Sequence, residues 1–364
     1  MSFLKNIFNK KEEPVKNYAD FWVWFQKNEK GFFNTVKNKT NIEKNFFDKL
    51  SPKLEELKEG FFYVTGMLDE NTVELILTAD GNIKNIGFVE DLVQQAPKID
   101  GWKFTALKPS MNIADVTIEM AGLKFDSENL FFYSNDFPEY PDEIDITIIH
   151  SNLTDSNRQQ ITNGVYIFLD NYLGELDFVN NIDNLQVIGT HEAQKELVPI
   201  SKLKDFLHWR HKEFIEKYEG ERYDTENDAY SILEAKLESG NMLLAVVNTQ
   251  LLNWDRKASH PWLAVMIIKY DGSNNNGMPV PEDYEILSTI EEELMQVLKD
   301  KDGYLNIGRQ TAENEREIYF VCKDFRKLSN VFYETELKYK NRFEIEYGIY
   351  KDKYWQSFNR FKQD

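Results

Sequence analysis

The sequence predicts an α+β protein made of mostly antiparallel sheets with helices packed on one face. Three observations carry this. Residues 262–350 read as strand, helix, strand, strand, helix, strand. Residues 262–270 are a nearly unbroken apolar run, as a central strand requires. Upstream, helical residues 18–58 followed by a series of strands and short helices read as an α+β domain with helices against a mostly antiparallel sheet.

The 364 residues suffice for two domains. A hydrophobic content of 41% and an aromatic content of 14% are enough for packed cores, which excludes a globally disordered chain. The reading divides the chain into a flexible tail (1–17), an α+β domain ending in a connecting helix (18–218) and a second domain (219–364), with polar residues 219–228 at the boundary.

In the first domain, residues 18–58 are helical. Phe21, Trp22, Trp24, Phe25, Phe32, Phe33, Phe46, Phe47, Leu50, Leu54 and Leu57 supply the apolar face. Residues 31–41 interrupt it, and Ser51 caps a later helix with Pro52 in its first turn. Strands follow at 61–68 and 72–78, then a helix at 86–95 stopped by Pro97, then a strand at 102–107. Residues 116–125 and 130–134 form a hairpin across Asp126-Ser127-Glu128-Asn129. A strand at 144–150, a helix at 155–172 and a strand at 185–188 complete the sheet. Residues 201–218 are a charged helix. His208 and His211 could share a metal on it, with Glu213 close, but no third ligand completes the set.

The second domain opens with 230–237 and 242–249 around Ser239-Gly240-Asn241; 242–249 reads as a strand, while 230–237 fits either its hairpin partner, the favoured reading, or a helix through Leu233 and Leu237 that ends at Gly240. The helix at 283–299 places Ile286, Leu287, Ile290, Leu294, Val297 and Leu298 on one face. Asn306 and Gly308 make 304–310 a poor central strand. Residues 316–323 alternate, with Ile318, Phe320 and Cys322 on one side. A helix at 325–338 precedes 343–350, whose Glu344 and Glu346 suit an edge. First and third strands central, second and fourth at the edges, is the order of a ferredoxin-like βαββαβ unit, here with an added N-terminal hairpin.

Charge and composition bound the function. A net charge of −19 makes direct nucleic-acid binding improbable, because phosphate contact needs a basic surface. It is compatible with a basic protein partner, with a cationic ligand, or with solubility alone, which is the default. The single cysteine, Cys322, lies in an apolar strand and reads as a buried structural thiol. No apolar run approaches a membrane span, and the N-terminus lacks the apolar core of a signal peptide, so the cytoplasm is the expected compartment. Phe3, Leu4, Ile7 and Phe8 with Lys5, Lys10 and Lys11 allow at most a weak membrane contact by the tail. No cofactor and no metal is expected. The loop from Asp271 to Gly277 suggests calcium until Asn276 is found where the loop needs glycine.

Two charged groups remain as candidate sites. Arg309, Thr311 and Arg316, with Glu313 and Glu317 nearby, could form a pocket for an anionic group. Glu285, Glu291, Glu292 and Glu293 could form an acidic docking face for a basic partner. The favoured reading is a non-enzymatic acidic protein-binding or regulatory module of inhibitor type. The alternative is an enzyme or small-ligand binder using the arginines.

His260-Pro261-Trp262, Lys269-Tyr270-Asp271, Asn276-Gly277-Met278-Pro279, Ile307-Gly308-Arg309-Gln310-Thr311 and Arg316-Glu317-Ile318-Tyr319-Phe320 together resemble an uncharacterised bacterial family, domain of unknown function 695. The resemblance covers about residues 225–351. It departs at Ala312-Glu313-Asn314, where a glycine-containing turn is expected before the arginine. It implies no established activity. More distantly, the acidity and strand order resemble the regulator-of-ribonuclease-activity B family, small acidic inhibitors that bind a ribonuclease, without any motif that aligns residue by residue.

Overall fold

The computed structural model describes residues 14–120 and 122–362. The apolar N-terminal residues Phe3, Leu4, Ile7 and Phe8 lie outside this range. By contacts the chain divides into two compact units, 1–108 and 109–364. The division expected at residues 218 and 219 falls inside the second of them.

In the first unit, α1 (Tyr18–Lys37) runs through Gly31 instead of stopping there. Phe21, Phe25, Phe32 and Val36 recur at helical spacing on its buried face, so continuing the helix buries more than breaking it would. A π-helical turn (Glu43–Phe47) leads directly into α2 (Asp48–Leu57). Pro52 therefore lies inside α2, and Ser51 is not its cap. The Ser51 hydroxyl donates to Glu55 Oε1 at 3.1 Å.

Strands β1 (Phe62–Met67) and β2 (Val73–Thr78) pair antiparallel. Then α3 (Ile83–Gln94) crosses to β3 (Trp102–Ala106), parallel to β2. Aromatic side chains fill the space between helices and sheet. Phe32 stacks on Phe46 at 4.4 Å, and Phe25 meets Trp102 edge-on at 5.0 Å. The Trp22 indole N–H donates to the Leu92 carbonyl at 2.8 Å, which satisfies its polar edge in the core.

The second unit begins with a short hairpin, β4 (Ile118–Met120) and β5 (Leu123–Phe125). This corrects the predicted pairing of 116–125 with 130–134. Gly122 adopts φ +77° and folds the segment back on itself. Asp126 then accepts from the Glu128 and Asn129 amides in an Asx turn, releasing the chain into another sheet. That sheet holds β6 (Leu130–Asn135), β7 (Asp145–His150), β8 (Asn184–Gly189) and β9 (Val198–Pro199) in the order β8-β7-β6-β9. Helices α4 (Arg158–Leu173) and α5 (Glu175–Asn181) connect β7 to the parallel β8. After β9, α6 (Leu203–Tyr218) buries Leu203 and Leu207 in the same core.

The larger sheet begins at β10 (Tyr230–Lys236) and β11 (Met242–Asn248), followed by the single turn α7 (Thr249–Leu252). Next come β12 (Trp262–Lys269), α8 (Pro281–Val297), β13 (Tyr304–Ala312), β14 (Glu315–Cys322), α9 (Arg326–Tyr339) and β15 (Glu344–Lys351). The spatial order is β10-β11-β13-β14-β12-β15, with every neighbouring pair antiparallel.

As predicted, β12 is interior and β15 lies at an edge, where Lys269 bonds Glu344 and Glu346 at 2.6 and 2.8 Å. The expectation for residues 304–310 is corrected: β13 is interior, between β11 and β14. It accommodates Asn306 and Gly308 through a β-bulge between them. The face bearing Ile318, Phe320 and Met266 packs under α8 and α9, with Phe320 meeting Phe332 at 6.1 Å.

The opposite face is covered by a C-terminal segment that the sequence did not announce. Trp355, Phe358 and Phe361 pack on Tyr319, Val321 and Leu263, and the Trp355 indole donates to the His260 carbonyl at 3.0 Å. Cys322 is fully buried and free. The turn from β13 to β14 is made without glycine: Glu313 and Asn314 both take positive φ, 48° and 69°. The Gly272–Gly277 loop holds it, with the Asn314 amide donating to the Gly277 carbonyl at 2.9 Å.

Within this unit, residues at the end of β15 and just after it are tied to residues flanking β7 and β8. The Asp183 carboxylate accepts from Lys351 at 2.9 Å, Lys353 at 2.7 Å and the Ile144 amide at 2.6 Å. Asp142 accepts from the Tyr218 and Tyr354 hydroxyls, each at 2.7 Å, and from Lys217 at 2.7 Å.

Candidate functional site

The bulge in β13 determines where the predicted arginine cluster points. Asn306 lies opposite Phe320, but past the bulge Gly308 lies opposite Tyr319 and Arg309 opposite Ile318. One extra residue reverses the alternation of a strand. Arg309 and Thr311 are thereby placed on the helix-covered face, in register with Ile318 and Arg316 of β14.

The structure brings Arg309, Thr311 and Arg316 together, beneath α8. The Arg316 Nε donates to Thr311 Oγ1 at 3.1 Å, and its guanidinium lies 4.9 Å from the centre of the Tyr284 ring. Arg316 is 1% exposed, and its Nη1 has no hydrogen-bond partner among the described residues. Burial, with the Arg309 charge nearby, holds the Arg316 guanidinium below the usual arginine range. Arg309 Nη1 bonds Glu291 Oε2 at 2.7 Å. The cluster thus holds two guanidinium groups and one directly bonded carboxylate, under a half-exposed tyrosine.

The four acidic residues of α8 separate. Glu285 and Glu292 are exposed. Glu291 is buried on Arg309. Glu293 is half-buried, accepting from Lys338 at 2.6 Å and from the Tyr339 hydroxyl at 3.0 Å. His208 and His211 lie on α6, and among the described residues no group of three or more His, Cys, Asp or Glu is placed to hold a metal ion. No helix among those residues is long and apolar enough to cross a membrane.

A second surface was not singled out from the sequence. Strand β10 begins the sheet order and has no strand on its outer side among the described residues. Tyr230 and Ile232 on β10, with Met242 on β11, are exposed on the face that α8 and α9 cover further along, and Leu244 and Val246 are half-buried beside them. Ile232 is 70% exposed, high for an isoleucine in a strand. The other face of the same hairpin is buried through Leu233, Ala245 and Val247. A cleft of about 640 Å³, lined by residues 222–226 and by Met295, Leu298 and Asp300, opens at the C-terminal end of α8. Burial raises the Tyr230 phenol, with Asp300, Glu291 and Asp228 adding to the rise. The signal for this surface was the apolar alternation of 230–233 and 242–247, which reads equally well as ordinary core.

The residues behind the sequence resemblance have structural roles. Gly308 faces the β11 backbone, His260 receives Trp355, and Gly277 sits against Glu313. No curated protein and no solved structure matches the chain. Residues 238–361 match the "Family of unknown function (DUF695)", so the C-terminal part of this chain resembles the proteins of that family.

Proposed function

We propose that the protein is a non-catalytic binding module. Its β10 edge and the open face of the β10–β11 hairpin receive an extended, basic segment of a partner protein, which adds a strand to the sheet. The observation that carries this is the exposure of Ile232 and Tyr230 on a seven-residue strand whose outer side pairs with no strand among the described residues. Natural sheets usually cover or charge such an edge, and only Glu234 and Lys236 do so here, at one end. Backbone bonds to an added strand supply affinity, and alternate side chains supply specificity. The net charge of −19, with exposed Glu285 and Glu292 on the adjoining helix, favours lysine and arginine in the partner. The strand order β13-β14-β12-β15 supports reading this half as ferredoxin-like, with the added hairpin as the recognition element.

Hydrogen exchange on the full chain tests the reading. A synthetic peptide alternating lysine and valine is expected to slow exchange of the amides in 230–236, while a glutamate–valine peptide is not. Ile232→Asp, at an exposed position, is expected to weaken the effect about tenfold or more. Protection that appears elsewhere, or that is indifferent to Ile232→Asp, would sink the proposal.

One observation favours a second reading, recognition of an anionic group near Arg309, Thr311 and Arg316. Arg316 is buried without a carboxylate bonded to it among the described residues. A buried charge lacking a full partner is costly and invites an anion. Titration with inorganic phosphate is then expected to move the Arg316 Nε–H resonance saturably, more readily in Tyr284→Ala. An unmoved resonance in both proteins refutes this reading.

A further inference from the structure

Among the described residues of the first unit, helices cover one face of the three-stranded sheet. Val73, Leu75 and Leu77 of β2 share that face with Trp102 and Phe104 of β3, and Trp22 and Phe25 of α1 meet Phe104 and Trp102 at 4.6 and 5.0 Å. Alternation sends Phe62 and Val64 of β1, with Glu74 and Ile76 of β2, to the opposite face. There Phe62 and Val64 are 51% and 48% exposed, and Ile76, paired with Val64, is half-buried. The β3 side of this face is polar and satisfied, since Glu74 accepts from Lys103 at 2.7 Å and from the Thr105 hydroxyl at 2.5 Å. The apolar patch is therefore confined to the side of β1, the strand that ends the sheet order.

The described chain starts beside this patch. Val15 is buried, and its amide donates to the Glu56 carboxylate at 2.6 Å, in the last turn of α2. From α2 the chain runs through Gly60 into β1, past a shallow cleft lined by Glu55, Glu59 and Phe62. Glu55 and Glu59 are exposed, and neither carboxylate bonds a cation among the described residues. Residues 1–13 carry the complementary chemistry. Phe3, Leu4, Ile7 and Phe8 share one side of a helical turn, flanked by Lys5, Lys10 and Lys11. Phe3 to Phe8 spans about 7.5 Å at helical rise, close to the ~7 Å between Phe62 and Val64 at strand rise. From Phe8 to Val15 an extended chain reaches about 23 Å, enough to pass the edge strand and lie on the far face.

We propose that residues 3–8 pack as a helical turn on the open face of their own sheet, with Phe3, Leu4, Ile7 and Phe8 against Phe62, Val64 and Ile76 and with Lys10 and Lys11 beside Glu55 and Glu59. The sheet then has apolar cover on both faces, which removes two exposed patches from water at once. The anchor at Glu56 makes the contact intramolecular and its effective concentration high. A second copy or a lipid surface has no such anchor. The contact lies within the first unit and does not depend on the β10 edge.

A cysteine pair in the full chain tests this, because the native Cys322 is fully buried. Ile7→Cys with Val64→Cys is expected to oxidise to a disulfide within one chain, which needs Cα atoms within about 7 Å. Asn9→Cys with Val64→Cys is the control, since Asn9 is nearer the anchor but on the opposite side of the turn. It is expected to cross-link about tenfold more slowly. In Ile7→Asp the Val64 and Ile76 methyl resonances are expected to move, while those of Val247, buried in the larger sheet, stay in place. Equal rates for the two cysteine pairs overturn the proposal, as do unmoved Val64 and Ile76 methyls. A disulfide formed between chains would assign the face to a second copy. Sedimentation of the unmodified chain with anionic vesicles, lost in Ile7→Asp, would assign the segment to lipid. Either outcome also overturns it.

Discussion

Asp183→Ala is expected to lower stability by about 3–5 kcal/mol, the usual cost of removing one side of a buried ionic group. Its carboxylate is the only one bonded to Lys351 and Lys353 among the described residues, and both lysine side chains are nearly inaccessible to water. Burial by itself would raise the Asp183 carboxyl. The two lysines and the Ile144 amide more than reverse this, so its folded pKa lies below the unfolded value of 3.8. The stabilisation is therefore complete above pH 3.8 and is lost as pH falls through the folded value.

Lys351 behaves in the opposite sense. One carboxylate shared between two ammonium groups leaves it under-compensated, and burial lowers it from 10.5 to about 8. Between those values the unfolded chain binds the extra proton, so the cost of burying the ammonium is relieved as pH rises through that window. The relief is of order 3 kcal/mol. Denaturant unfolding from neutral pH through the alkaline range checks both points. Asp183→Ala should shift the midpoint at neutral pH far more than any surface carboxylate substitution. Lys351→Met should remove the alkaline gain relative to the wild type. A neutral-pH loss under about 1 kcal/mol for Asp183→Ala would mean that the lysines find water or another anion.

Gly308→Ala is expected to cost about 3 kcal/mol or more and to disturb the arginine cluster. The added Cβ would lie 2.0 Å from the Val246 carbonyl oxygen and 2.9 Å from the Val247 Cα, both backbone atoms of a paired strand. Gly308 also has φ +129°, which side-chain-bearing residues avoid. Relief requires β13 to move away from β11 or the bulge to be lost. Losing the bulge would turn Arg309 and Thr311 to the opposite face. Chemical denaturation gives the energy, and mutation of Glu291 in the Gly308→Ala background gives the coupling. If the arginines have left α8, Glu291→Gln has little further effect. A stability loss under about 1 kcal/mol would refute the close approach of the two strands.

Much of the sheet was legible because its signals were local. The apolar run at 262–269 marked an interior strand, and Glu344 and Glu346 marked an edge. The alternation of Ile318, Phe320 and Cys322 marked a buried face. Errors arose where long-range packing outweighed local signals. Gly31 did not stop α1, because Phe32 and Val36 were worth burying. Asn306 and Gly308 suggested an edge, because a bulge tolerates residues that a regular strand does not. The C-terminal aromatics Trp355, Phe358 and Phe361 recur every third residue, the period of the short 3-10 helix that Trp355 precedes and Phe358 and Phe361 occupy, but over too few residues to stand out, although they pack on a sheet face.

The candidate sites divide in the same way. The sequence placed Arg309, Thr311 and Arg316 near one another, since a short turn must bring 309–311 against 316. It could not say that the group is buried, that Glu291 bonds one arginine, or that Tyr284 covers the other. By itself the sequence determined the α+β class, the acidity and the likeness of the C-terminal part to a family of unknown function, since these depend on composition, periodicity and local pattern. Only the tertiary structure decided which face each charged residue occupies. A strand alternates every residue, so one bulge reverses all the side chains beyond it, and no local pattern records that reversal.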